Sequence, residues 1–204
     1  MHLQECLSNK FFPTTMEINP IVVGPITGGI RLRNNILLEI QKKVCYLLIT
    51  AAIILFVLSL GFMTNFYQLF YNGTTEMLSY YKQLQYLNKA IFNASVIFIV
   101  LSLLLIPFDI NKKSSGKFGL MYVIGIALYI LTTSLTLLSS IPYYRQKYLV
   151  FDFSVIQGYN PSTFAFSMAS LILIILTVFS ITLLITVIIN FIKGKRELIS
   201  GRVQ

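Results

Sequence analysis

The chain has 204 residues, of which 56% are hydrophobic and only 11% charged, and sixteen Lys and Arg against seven Asp and Glu give a formal net charge of +9. A soluble domain carries about 25% charged residues, and half that proportion cannot cover a soluble surface of this size, which excludes an ordinary cytosolic globule and a disordered chain. With a mean hydropathy of +0.77, the basic excess points to a membrane surface before nucleic acid, and no segment is long enough to make a basic nucleic-acid-binding domain.

The scarce residues narrow the chemistry further. The single histidine is His2 and the two cysteines are Cys6 and Cys45. That stock cannot assemble a metal set of four cysteines, or of two cysteines with two histidines, and a Ser-His-Asp or Cys-His site would have to use a histidine beside the initiator Met. No metal, cofactor or catalytic set is expected, and the chain is read as a non-enzyme. The first residues lack the charged, apolar, small-residue order of a cleaved signal peptide.

Residues 1–30 contain three prolines and three glycines without a sustained period, and are read as an irregular tail. In residues 30–43, Leu32, Ile36, Ile40 and Val44 recur at helical spacing in a basic stretch. Either an amphipathic helix lies there on the inner leaflet, or the first span begins about two turns earlier.

A membrane-crossing helix needs about 20 mostly apolar residues. Four stretches qualify, at about 44–64, 90–108, 118–141 and 167–192, and none contains Asp, Glu, Lys, Arg or His. The connections are short enough for the positive-inside rule. Twelve basic residues fall on one side and four (Lys82, Lys89, Arg145, Lys147) on the other. The expected orientation therefore has both termini in the cytoplasm. The basic residues that flank the inner span ends are read as anchors to anionic inner-leaflet lipid: Arg31, Arg33, Lys42, Lys43, Lys112, Lys113, Lys117, Lys193, Lys195 and Arg196.

The outer loops, about 65–89 and 142–166, hold nine of the twelve tyrosines: Tyr67, Tyr71, Tyr80, Tyr81, Tyr86, Tyr143, Tyr144, Tyr148 and Tyr159. Tyrosine favours the membrane interface, but this density exceeds what four anchors need and suggests loops folded back on the bundle. In the first loop, Asn72-Gly73 signals a turn and Thr74 can cap a helix with Glu76 near its positive end, so one helix is expected from about 75 to 108. Residues 148–156 read as a strand or an interfacial segment. Asn160-Pro161 reads as an N-cap followed by the first helical residue, so the fourth helix should also protrude. Asn72-Gly-Thr and Asn93-Ala-Ser match the glycosylation pattern, with only Asn72 placed outside the membrane.

Hydroxyl and small residues recur every four positions in the later spans. Thr132, Thr136 and Ser140 of the third span are expected to pack against Ser167 and Ser170 of the fourth, with Thr177 as a further neighbour at matching depth and with Ala165 and Ala169 allowing close approach. Thr182, Thr186 and Asn190 lie at a different depth, which argues against one polar ring and a pore. Asp109, beside Lys112 and Lys113, reads as an interfacial acid rather than a coupling group.

The expected fold is thus an all-α integral membrane protein with four transmembrane helices, of which helices 2 and 4 extend on the outer side. A cytoplasmic tail (1–43) precedes the membrane domain (44–192), and a basic tail (193–204) follows it. The expected role is an accessory, scaffold or assembly subunit in the cell membrane. Its partners would be the lipid bilayer and either a larger membrane protein or further copies of itself. The alternative is a small oligomeric transporter or channel.

Overall fold

The computed structural model describes the backbone of residues 27–110 and 117–200, and side chains over 39–106, 118–189 and 191–192. Its helices are α1 (Thr27–Gly61), α2 (Tyr67–Tyr71), α3 (Thr75–Ile110), α4 (Lys117–Leu149) and α5 (Phe164–Ser200). Residues Phe62–Phe66 and Phe153–Val155 form 3-10 turns. Four segments, Glu39–Tyr71, Thr75–Ile106, Phe118–Leu149 and Phe164–Ile189, are helical, long and apolar enough to cross a membrane. No strand occurs among the described residues.

Around the bundle, α1 packs against α3 and α5, and α4 packs against α5 and more loosely against α3. The C-terminal end of α1 meets the N-terminal end of α5 through Phe62 and Phe166. The N-terminal end of α3 meets the C-terminal end of α4 through Tyr80 and Tyr148. Both contacts lie at one end, so the four long helices run up, down, up and down.

One spacing organises the packing. The buried residues of α4 include Val123, Ala127, Ile130, Ser134, Leu137 and Ile141, and those of α5 include Ala169, Leu173, Leu176, Ser180, Leu183 and Val187. Steps of four and three alternate along both. The same alternation runs through α1 from Cys45, Leu48, Ala52 and Leu55 to Ser59 and Phe62. A mean repeat of 3.5 keeps a seam facing its neighbour along a long helix. Leu, Ile, Val and Phe also crowd the opposite faces, where Ile53, Ile54, Val57, Leu135, Ile174 and Val178 are exposed.

The seam corrects the expected α4–α5 contact. Thr132 and Thr136 face outward, and their hydroxyls donate to the Leu128 and Thr132 carbonyls at 2.9 Å each. Ser140 is half-buried and donates to the Thr136 carbonyl, and Ser167 is exposed. Residues four apart advance by about 40° per step beyond a full turn, so a run of three drifts off a 3.5-residue seam. Threonine can satisfy its hydroxyl on its own helix and turn its methyl outward. The contact is made by Ser134 and Thr177, whose hydroxyl oxygens lie 3.0 Å apart. Thr177 Oγ1 donates to the Leu173 carbonyl at 2.8 Å. With that proton committed, Ser134 shares its own between Thr177 and the Leu131 carbonyl at 3.0 Å. Ala165 and Ala169 are buried, and Ser170 is half-buried.

Some helix ends agree with the expectation and others differ. α1 is continuous from Thr27, without a break near residue 43 that would separate an interfacial helix from the span. α3 begins at Thr75, where the Met77 N–H reaches Thr74 Oγ1 at 3.4 Å. Ahead of it, a Cβ at Gly73 would collide with the Leu69 carbonyl oxygen, so the turn between α2 and α3 needs a glycine. α4 runs through Pro142 to Leu149 although proline removes one helical hydrogen bond. α5 begins only at Phe164, not at Pro161. α5 therefore starts three residues later than expected, while α4 continues eight residues beyond Ile141. Within 148–156, Tyr148 and Leu149 close α4 and Phe153–Val155 form a 3-10 turn, without a strand.

Replacing Ser134 with Leu should overpack the α4–α5 seam and cost about 1–3 kcal/mol. The same change at the outward-facing Thr136 should stay within about 0.5 kcal/mol. Thermal unfolding in micelles measures both, and paired cysteines should crosslink at 134–177 but not at 136–170.

Candidate functional site

The distinctive chemistry lies where α1, α3, α4 and α5 converge at the tyrosine-rich end. Tyr80, Tyr148, Phe62, Phe66 and Phe166 are all almost fully buried there. Phe66 packs edge-on to Tyr148 with ring centroids 5.4 Å apart and lies 5.1 Å from Phe166. Tyr148 also meets Phe153 at 4.8 Å, and Tyr80 meets Phe151 at 5.2 Å. Tilted and edge-to-face pairs at these distances contribute about 0.5–1.5 kcal/mol each beyond their buried area. The segment after α4 thus folds back over the bundle end, and Phe151 and Phe153 enter the cluster.

A directed chain of hydrogen bonds threads the rings. The Tyr159 hydroxyl donates to the Asn65 carbonyl at 3.1 Å. Its proton is then spent, so in the 2.7 Å contact between the two tyrosines Tyr148 donates to Tyr159. The Tyr148 oxygen in turn accepts the Ser162 N–H at 3.2 Å. Three segments distant in sequence are joined this way: the turn after α1, the end of α4 and the approach to α5. Ser162 is held by this bond, and Ser162 Oγ accepts the Phe164 N–H at 3.3 Å. The helix therefore starts three residues later than the Asn160-Pro161 signal implies.

α3 and α4 are tied separately. The Tyr80 hydroxyl donates to the Tyr144 carbonyl at 2.9 Å, and Lys147 Nζ donates to Gln83 Oε1 at 2.8 Å. These bonds hold the last turns of α4 beyond Pro142. Burial raises the Tyr159 hydroxyl above its ordinary value of 10.0, so it stays a neutral donor at physiological pH. Asp152 is held below the usual carboxylate range by the Ser154 N–H, which it accepts at 3.0 Å, capping the turn Phe153–Val155. In the loop beyond, Gly158 has φ +74°, a conformation that favours glycine.

The hydroxyl chain begins at a backbone N–H and ends at a backbone carbonyl. Neither terminus titrates, so the chain positions segments and moves no proton. Among the described residues, no group of three or more His, Cys, Asp and Glu is placed to hold a metal. Around the buried cluster lies an exposed aromatic and aliphatic rim that includes Tyr67, Tyr71, Tyr86, Tyr143 and Val150. The sequence signalled the tyrosine density but not its division: Tyr80 and Tyr148 are structural, whereas Tyr71 and Tyr86 are more than 70% exposed. Phenylalanines 62, 66 and 166 are absent from the expected set because nothing in the sequence separates them from the other phenylalanines of the chain.

The expected basic anchors are only partly placed. Lys42 and Lys43 are exposed, and Lys43 pairs with Glu39 at 2.8 Å. Lys112 and Lys113 lie outside the described residues, as do the side chains of Arg31, Arg33, Lys117, Lys193, Lys195 and Arg196. Cys45 is buried on the α1 seam, and His2 and Cys6 lie outside the described residues. Asn72 is exposed at the end of α2, and Asn93 is exposed within the apolar run of α3.

Tyr148→Phe should cost about 1–3 kcal/mol by leaving the Ser162 N–H and the Tyr159 hydroxyl short of a partner. Tyr148→Ala, which also opens a cavity among the rings, should cost about 3–5 kcal/mol. Denaturation in micelles, followed by tyrosine near-ultraviolet dichroism, reads both losses at the cluster itself.

Compared with family models, curated proteins and solved structures, the chain matches none of them, so its role has to be sought in its own residues.

Proposed function

We propose that the chain is a non-enzymatic integral protein of the cell membrane, with both termini in the cytoplasm. It would act as an accessory, scaffold or assembly subunit of a larger membrane complex. The observation that carries this reading is the contrast between seam and rim. Among the described residues, the fully enclosed residues with polar side chains, tyrosines apart, are five serines and one threonine: Ser59, Ser95, Ser102, Ser134, Ser180 and Thr186. An ion-coupled carrier keeps ionisable groups inside its spans because their cost is offset by their use. Hydroxyls in a close-packed seam instead support helix association.

At the tyrosine-rich end, the helices project past their apolar runs. α3 carries fourteen residues, 75–88, ahead of Lys89, its last basic residue before the apolar stretch, and these rise about 21 Å by the helical repeat. A rigid head with exposed tyrosines suits recognition of another protein, since tyrosine gives large contact area at low entropic cost. The excess of basic residues near the opposite span ends supports the orientation.

With Cys6 and Cys45 replaced by alanine, single cysteines at Lys113 and Gln204 should react with an impermeant reagent only from the cytoplasmic side. Cysteines at Thr75 and at the 84%-exposed Val150 should react only from the opposite side. External labelling at 113 would reverse the orientation.

Purification in native lipid discs followed by mass spectrometry should recover a stoichiometric membrane-protein partner, and replacing Tyr71 and Tyr86 together with Ser should release it. Solute or ion flux through the protein alone in liposomes would instead establish the transporter reading.

A further inference from the structure

A groove of about 410 Å³ opens on the side of the bundle where α1 ends and α3 enters its apolar run. Its lining is mixed in chemistry: Leu60, Met63 and Phe92 are apolar, while Gln85, Asn88 and Lys89 are polar. Phe92 is backed by Phe56, with ring centroids 5.3 Å apart, so the floor is firm. Ser59, also in the lining, is buried and spends its proton on the Phe56 carbonyl at 2.6 Å.

Two observations point to an occupant. Asn88 Oδ1 is buried without a hydrogen-bond partner, an acceptor left in need of a donor. Beside it, Lys89 is exposed and has Gln85 one turn away. Depth adds a third constraint. From Lys89 to Asp109, α3 carries no other Lys, Arg, Asp or Glu, and those twenty residues span about 30 Å, the hydrocarbon thickness of a bilayer. The groove therefore sits at the edge of the α3 apolar run, where Gln85, Asn88 and Lys89 give way to Phe92.

We infer that this groove is a binding site for an anionic phospholipid whose headgroup also donates hydrogen bonds, of the phosphatidylglycerol kind. The phosphate lies against Lys89 and Gln85, a glycerol hydroxyl donates to Asn88 Oδ1, and an acyl chain runs down Leu60 and Phe92. Phosphatidylcholine fits less well, since its headgroup has no donor for Asn88 and no net charge for Lys89. This site is at the opposite end of the bundle from the basic clusters expected at the inner leaflet. It rests on the membrane placement proposed above but not on any protein partner.

The test is native mass spectrometry of the full chain in detergent, equilibrated with phosphatidylglycerol or phosphatidylcholine of the same acyl composition. Wild type should retain phosphatidylglycerol preferentially. Lys89→Gln should reduce that retention about fivefold, the factor expected for one cation at a membrane surface. Asn88→Leu should bring it towards the phosphatidylcholine level. Lys82→Gln, the same charge change two turns away and outside the groove, should leave it unchanged. Equal retention of the two lipids by wild type overturns the site, as does retention by Lys89→Gln and Asn88→Leu that matches wild type, or an equal loss in Lys82→Gln. Alkaline extraction of cell membranes distinguishes the other failure: release of the chain would remove the membrane placement itself, whereas a chain that stays in the membrane with unselective lipid retention removes only the site.

Discussion

The close approach of four helices that are apolar on every side depends on small residues along a 3.5-residue seam. In a hydrocarbon setting there is no water to drive such helices together, so association relies on packing and on a few hydrogen bonds. Serine and alanine at seam positions such as Ser59, Ala94, Ala127, Ser134 and Ala169 remove side-chain bulk where the backbones face one another. Threonine, larger and β-branched, folds its hydroxyl back on its own helix, at the outward-facing Thr132 and Thr136 and at the buried Thr186 alike. The Ser134–Thr177 contact adds a bond between helices, with both hydroxyls satisfied at the α4–α5 seam.

That seam aligns the helices but does not close the end of the bundle, and the tyrosine relay does so. Ser162, Tyr148, Tyr159 and Asn65 are linked by hydrogen bonds of 3.2, 2.7 and 3.1 Å. Each hydroxyl both gives and accepts, so the bonds polarise one another, and losing one loosens its neighbours. The ring of Tyr148 is enclosed by Phe66, Phe153 and Phe166, which keeps water from competing. Local signals are overridden as a result: α4 continues past Pro142 because Tyr144 and Lys147 are held by Tyr80 and Gln83, and α5 waits until Phe164 because Ser162 is engaged by Tyr148.

These two features bear on function in the same direction. A seam filled by apolar and hydroxyl side chains is suited to holding a shape, and a rigid aromatic head is suited to being recognised. The groove between α1 and α3 adds a place where the bilayer could be read rather than only occupied. Its buried, unpartnered Asn88 oxygen contrasts with the satisfied hydroxyls of the relay.

Composition and the order of residues together determined that this chain builds four long apolar helices, because 11% charged residues cannot cover a soluble surface and the uncharged runs match a bilayer's thickness. Local signals also placed the start of α3 at Thr74-Thr75, since a capping hydroxyl acts within one turn. The faces of those helices were not legible. When nearly every residue is apolar, hydrophobic periodicity carries no phase, and the four-residue recurrence of Thr132, Thr136 and Ser140 resembled a contact stripe. Only the packed bundle distinguished Ser134 from Thr136, two residues apart, because burial depends on where neighbouring backbones run. Likewise the tyrosine count announced a crowded end, but which rings lie inside was decided by contacts across 11 to 94 positions of sequence, as in Tyr148–Tyr159 and Tyr159–Asn65. Such contacts exist only once the four helix ends have come together.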